Sequence, residues 1–392
     1  MLKRAASAML ALVVLLFCAR TATSAGLWID PARLAALPTV GPAWSALLSA
    51  STESTASPNL SNQDDPTNVR VLAKALVFAR TGNQTLRSEV IAACLAAMDT
   101  ENGGRTLALG RELAAYVIAA DLVGMPMADD VTFRSWLSAV RRETLDGNTL
   151  ISTHERRPNN WGTHAGASRI AAAVYLGDSV DLARAAKVFR GWLGDRASYA
   201  SFDYGDLAWQ ANPAQPVGVN VFGSLIQGHS VDGVLPDDQR RSSGFQWPPP
   251  KANYVYGALQ GAMVQAAILQ RAGFPDVWTW QSSALRRAFD WLHVQAHYPA
   301  DGDNTCLPSL ANWAYGTTFP APVPCAPGKN VAFMDWSHRA GAATPTTTTT
   351  TTTLPTTTTT RPPTTTTTVP TPTTTTTLPP VLPCCQCRMC VE

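Results

Sequence analysis

The stretch "RRPNNWGTHAGASRIAAA", Arg156 to Ala173, passes from charged and polar residues into a run that is almost entirely small or apolar. Pro158 suits the first turn of a helix. Asn159 or Asn160 suits its cap, because an amide oxygen can accept from the free N–H groups that open a helix. Past the cap, the small residues fall on all sides of the helix rather than on one stripe. Such a helix has to be buried against neighbours all round. Gly162, Ala165 and Gly166 allow another backbone to come close.

Working outward, helical periodicity recurs on both sides. "NVRVLAKALVFARTG" sets Val69, Leu72, Leu76 and Ala79 on one face and stops at Gly82. "LRSEVIAACLAAM" follows it. "LGRELAAYVIAADLVG" places Leu113, Tyr116, Val117 and Ala120 at the same spacing and stops at Gly124. "DVTFRSWLSAVRRETL" opens with Asp129 or Asp130 as its expected N-cap. After the opening stretch come "DLARAAKVFRGWLGD", "ANYVYGALQGAMVQAAILQRAG" and "WQSSALRRAFDWLHVQA". No stretch reads as a strand. Helices arriving in pairs with short turns predict repeated αα-hairpins. Buried inner helices with amphipathic outer ones predict an all-α, α/α toroid of about five to six hairpins, with a plain solenoid as the other possibility. In a toroid, the loops and helix ends at one mouth line a cleft.

The ends of the chain differ in kind. Lys3 and Arg4 precede the apolar run Met9 to Phe17, and "TATSAG" offers small residues for cleavage after Ala25, so residues 1–25 read as a secretory signal peptide. Its apolar core is too short to span a bilayer comfortably. Phe17, bulky before Cys18, argues against a lipoprotein signal. Residues 26–343 are the predicted toroid. From Thr344 to Pro380 the chain is nearly all Thr and Pro, which cannot bury a core and reads as a disordered stalk. Residues 381–392 carry "CCQCRMC", with Cys384, Cys385, Cys387 and Cys390. That spacing superficially suits a metal, but an oxidising compartment favours disulfides, including intermolecular or cell-surface attachment. Cys306 and Cys325 flank a Pro-rich loop and are candidates to pair, whereas Cys94 reads as a small buried hydrophobe.

Overall composition narrows the function classes. With 45% hydrophobic and 15% charged residues and a net charge of +2, the chain gives no support to a nucleic-acid or polybasic membrane role. The expected location is secreted, periplasmic or at the cell surface. One segment, 198–251, is longer than ordinary connections. Trp209, Phe222, Phe245 and Trp247 within it argue for an ordered loop crossing the cleft mouth.

Candidate site residues gather near this loop. On a continuous helix Asn160 and His164 are four apart and share a face. An amide and an imidazole beside free helix N–H groups suit an anion, although helix capping by Asn159 and packing by Trp161 would explain the same residues. Arg240 and Arg241 follow the Pro236 turn. Paired guanidiniums bind carboxylates bidentately, though a solvated charge run has the same look. Tyr254 and Tyr256 enter the next helix, and His229 in "QGHSVDG" is a further candidate.

"NNW" opening an Ala-rich helix, then "GVLPDDQRR", then "NYVYGAL" resembles the alginate lyase domain and related uronic-acid polysaccharide lyases. "LAKALVFARTG" and "LAAYVIAADL" also look like that family. The resemblance implies an α/α toroid whose cleft carries Asn160, His164, Arg240 or Arg241, and Tyr254 as catalytic residues. Asn159, Trp161, His229, Trp247 and Tyr256 are the expected substrate contacts. Two departures stand out. The alginate lyase pattern has His directly after the second Asn, where this chain has Trp161, and the insertion "SSGFQWPPPK" stretches the Arg–Tyr spacing.

The implied reaction is β-elimination from an acidic polysaccharide. An Asn and an Arg neutralise the uronate carboxylate and stabilise the enolate-like charge that develops beside it. His164 or Tyr254 takes the proton, and Tyr254 returns one to the leaving oxygen. The scheme requires no metal or cofactor. Two rival readings remain. A glycoside hydrolase on the same toroid would need a convergent carboxyl pair from Asp232, Asp237, Asp238, Asp301 and Asp303. A non-catalytic glycan-binding or surface-displayed protein would use the Trp-rich loop to stack sugars.

Overall fold

Gly82 and Gly124 take left-handed backbone, with φ of 76° and 55°, and each ends a helix where its missing side chain makes that turn inexpensive. Side-chain caps mark the starts that follow: Asn83 accepts from Thr85 N, and Asn159 accepts from Trp161 N. In the computed structural model residues 26–339 are described. They lie within the first of two units into which the chain divides, Met1–Pro345 and Thr346–Glu392. The expected signal peptide, the Thr/Pro-rich segment and the four tail cysteines fall outside the described residues.

The helices in chain order are α1 (Pro31–Ala36), α2 (Pro42–Ala50), α3 (Thr67–Thr81), α4 (Gln84–Ala97), α5 (Thr106–Val123), α6 (Met127–Val140) and α7 (Leu150–Arg156). They continue with α8 (Asn160–Leu176), α9 (Ser179–Trp192), α10 (Pro236–Gln239), α11 (Asn253–Arg271), α12 (Trp280–Val294), α13 (Leu307–Tyr315) and α14 (Met334–Ser337). The described residues are therefore all-α apart from one short hairpin. Inner helices α3, α5, α8 and α11 pack side by side in that order. Helix α13 adjoins α11, and α14 touches both α13 and α2, which lies on α3, so the row closes on itself. Helices α4, α6, α7, α9 and α12 back the inner row. This is the toroid expected from the sequence, and the α14–α2 contact separates it from an open solenoid.

Close helix approach explains the small residues. A Cβ on Gly110 of α5 would meet Ala165 N of α8 at 2.8 Å, and one on Gly166 would meet the Gln265 side chain of α11 at 2.6 Å. One on Gly261 would collide with the backbone of Thr163 and His164. Every residue of α8 from Gly162 to Ala173 is buried. Its polar members are bonded: Ser168 donates to Gly110 O at 2.8 Å, and Arg169 pairs with Asp181 at 2.7 Å and Glu155 at 3.1 Å. Buried charges persist only when paired in this way.

Some local expectations change. Helix α6 starts at Met127 after Pro126, so Asp129 and Asp130 sit in its first turn rather than capping it. There they complement the positive end of the helix dipole. Pro158 precedes the Asn159 cap of α8 and is outside the helix. Where no strand was expected, Leu225–Ile226 (β1) and His229–Ser230 (β2) pair antiparallel within the long loop. That loop is ordered as anticipated: Trp209 is fully buried and donates to Ser243 O at 2.9 Å. Phe222 takes no part in this, being 73% exposed. Cys306 and Cys325 form a disulfide with their Cα atoms 5.0 Å apart. Cys94 is buried, and burial pushes its thiol up to about 12.

Candidate active site

The start of α8 is held from the side by α10. Asp238 Oδ1 accepts from Asn160 N at 3.0 Å, and Asp237 Oδ2 accepts from Asn159 Nδ2 at 2.9 Å. The "PDD" turn thus satisfies one of the free N–H groups that any helix start leaves over. It thereby holds the Asn159 side-chain amide and the Asn160 backbone. Asp237 is itself oriented by Arg240 Nε at 2.8 Å and Gly205 N at 3.2 Å. Asp238 is fully buried, and its Oδ2 has no partner among the described residues. Burial, reinforced by neighbouring Asp237, raises its carboxyl well above the ordinary carboxylate range, although the Asn160 N–H, Arg241 and Arg240 act against that.

One helical turn after Asp238 the chain delivers Arg241. Its Nη1 donates to Asn160 Oδ1 at 3.3 Å. Its guanidinium carbon lies 3.6 Å from the ring centroid of Tyr254, the second residue of α11. Asn160, Arg241 and Tyr254 come from three separate elements and meet at one point. Arg241 thus holds Oδ1 of Asn160, a residue that is only 2% exposed. The side chain of Tyr254 is 43% exposed, so it stands at the mouth rather than in the core.

The other candidates distribute differently. His164 shares a helix with Asn160 but is fully buried, with Nδ1 3.1 Å from Asn330 Nδ2 and Nε2 unpartnered among the described residues. Asn330 belongs to a strap, 326–333, that passes over the inner helices; Lys329 O accepts from Asn68 at 3.1 Å, and Lys329 N donates to Gln260 at 2.7 Å. Burial, and secondarily Arg111, holds the His164 imidazole well below its usual range, so it is neutral. The sequence placed this histidine in the cleft; the strap seals it in the core. Tyr256 is likewise a core residue, fully buried with its hydroxyl donating to Tyr298 O at 2.8 Å. Burial raises its phenol further, which corrects its expected role as a substrate contact. Of the two arginines, Arg240 is committed to Asp237, leaving Arg241 at the meeting point. Trp161 is half-buried, with Arg157 over its ring at 5.8 Å.

His229 and Trp247 lie in the long loop and stack face to face, centroids 4.4 Å apart and planes 11° apart. Phe245 closes one side of the pair, 6.5 Å from His229. The aspartates that a hydrolase would need are engaged elsewhere or apart. Asp232 pairs with Arg287, Asp237 with Arg240, and Asp238 is buried against α8. Asp303 faces Lys329 at 3.9 Å, and Asp301 is exposed. The described residues place one group of possible metal ligands together, Cys306, Cys325 and Asp335, and its two sulfurs are joined in the disulfide. No helix among the described residues is long and apolar enough to cross a membrane.

The closed ring of helices thus brings an amide, a guanidinium and a phenol together where α8 and α11 begin. The family model described as alginate lyase matches residues 97–197, the part of the chain that runs through α5 to α9. This match supports a polysaccharide lyase reading for that stretch. It contains Asn160 but neither Arg241 nor Tyr254, which join the site through geometry alone. No curated protein matches the chain.

Proposed function

We propose that this chain is an exported lyase that cleaves a uronic-acid polysaccharide such as alginate by β-elimination, with Asn160, Arg241 and Tyr254 as its catalytic residues. The observation that carries this reading is the position of Arg241, in contact with Asn160 on one side and the ring of Tyr254 on the other. Arg241 and the Nδ2 donors of Asn160 bind the uronate carboxylate, and they gain strength as charge moves onto it in the transition state. Withdrawing that charge makes the neighbouring C5 proton more acidic. Tyr254, as its phenolate, takes this proton and becomes the phenol, the C4=C5 double bond forms, and the C4–O4 bond breaks. A proton then passes to the leaving O4, which Tyr254 is placed to supply. With His164 in the core, the base and acid roles both fall to Tyr254. Asn159 and the stacked pair of His229 and Trp247 serve as outlying sugar contacts, the flat rings matching the apolar faces of pyranoses. Export rests on the N-terminal signal pattern, and attachment through the tail cysteines on their clustering.

The test is ultraviolet detection of unsaturated products from alginate, polyglucuronate and glycosaminoglycans, run with the purified chain, Tyr254→Phe and Arg241→Ala. The reading expects absorbance growth with at least one polymer and its loss in both variants. New reducing ends without that absorbance would replace it with hydrolysis. Retention of polymer without any cleavage would leave a glycan-binding protein.

A further inference from the structure

From Val255 to Leu269 every residue of α11 is buried except Gly257. A glycine inside a helix costs about 1 kcal/mol relative to alanine, so its presence calls for a reason. For Gly110, Gly166 and Gly261 the reason is packing, since an added Cβ would strike another helix. Gly257 has no such constraint. A Cβ there would meet only Asn160, at 3.7 Å from its Cβ and 3.8 Å from its Nδ2, which is ordinary van der Waals contact. The position lies three residues beyond Tyr254 and therefore on the same helix face. Gly257 itself is half-buried and adjoins the amide of Asn160, which is only 2% exposed, so a methyl group here would narrow what approach to that amide there is.

We propose that Gly257 is a specificity-determining residue whose missing side chain forms the floor of a slot between Asn160 and Tyr254, admitting the carboxylate-bearing edge of a uronate ring. This inference rests on the lyase reading of those two residues and adds where the reacting sugar sits. The carboxylate approaches Asn160 Nδ2 over bare backbone, and a methyl group at Gly257 occupies the same space. The slot thereby favours an acidic ring held close over a bulkier or tilted one.

The test compares wild type and Gly257→Ala in three measurements: thermal melting, elimination rates against polymer concentration, and calorimetric binding of a short alginate oligosaccharide. Tyr254→Phe serves as the binding-competent, turnover-deficient control. The expected result is a variant that melts at or above wild type while its kcat/KM falls about 10- to 100-fold, chiefly through KM, as displacing a substrate by about 1 Å would do. Oligosaccharide binding weakens in parallel. Undiminished kcat/KM in Gly257→Ala overturns the slot and leaves the lyase reading intact. A variant that melts well below wild type also overturns it, because glycine would then be a packing requirement. Binding by wild type that Gly257→Ala loses, with no elimination by either, upholds the slot and sinks the lyase reading. Wild type that neither binds nor cleaves sinks both.

Discussion

Replacing Asp238 with Asn removes one ionisable group while keeping its shape and its acceptor for Asn160 N, 3.0 Å away in the wild type. In the folded chain this carboxyl is raised well above its ordinary 3.8, first by burial and then by Asp237. It therefore stays protonated over a range in which the unfolded chain has released the proton. Where the folded state holds more protons, stability falls as pH rises, and here it falls from about pH 4 toward the raised value. A single proton sets the steepest slope at about 1.4 kcal/mol per pH unit. The full profile has other contributors. Glu112, raised by burial, acts in the same direction. His154, His164 and His338 are buried neutral with depressed values, so their contribution has the opposite sign and is lost as pH falls below 6.5. The difference between the two proteins cancels these. Urea unfolding of wild type and Asp238→Asn at half-unit steps from about pH 4 to 7 measures it. The variant gains on wild type by about 1.4 kcal/mol for each pH unit until the raised value is reached. Elimination activity survives in Asp238→Asn and declines in Asp238→Ala, which leaves Asn160 N without its acceptor. Parallel pH profiles for wild type and Asp238→Asn would refute the account of a neutral, buried Asp238.

Other perturbations follow from single contacts. Arg241→Ala leaves thermal melting unchanged, since Arg241 is exposed, and lowers the elimination rate on the order of 100- to 1,000-fold in a steady-state assay. Asn83→Ala removes the oxygen that accepts from Thr85 N at 3.0 Å, and denaturant unfolding registers a loss of about 1 kcal/mol. Replacing Cys306 and Cys325 together by Ala opens a link across 19 residues. This costs about 3 kcal/mol in chemical unfolding under oxidising conditions, and little once wild type is reduced as well.

The ring of helices was legible because its evidence is local. All-round small residues in α8, glycine stops at Gly82 and Gly124, and paired amphipathic segments each depend on neighbours within a few turns. The Cys306–Cys325 link and the order of the long loop could also be read, the one from two cysteines flanking a Pro-rich loop and the other from its aromatic residues. The candidate site was legible only in part. Asn160, Arg241 and Tyr254 were named, but their meeting depends on where α10 docks, a contact across 78 residues between Asp238 and Asn160. Nothing local separates Arg240 from Arg241; the fork is decided by which of them Asp237 captures. His164 was misplaced because helical spacing gives a shared face without saying what covers it. The cover, Asn330, lies 166 residues away. Asp237 and Asp238 were weighed as hydrolytic carboxylates, whereas they hold the Asn159 side chain and the Asn160 backbone at the start of α8. Gly257 had no sequence signal beyond being a glycine among apolar residues, and its approach to Asn160 exists only when α8 is in place.

The position of α8 also bears on which fragments of this chain can be handled alone. Residues 97–197, the stretch similar to the alginate lyase family, contain α5 on one flank of α8 but stop before α11, its other large partner. A gene truncated to that stretch would uncover the flank of α8 that meets α11, Thr163, His164 and Gly166 among it. Such a polypeptide should collect in inclusion bodies during recombinant expression. Reagents for biochemistry need to extend at least through α14, where the last contact with α2 shuts the ring.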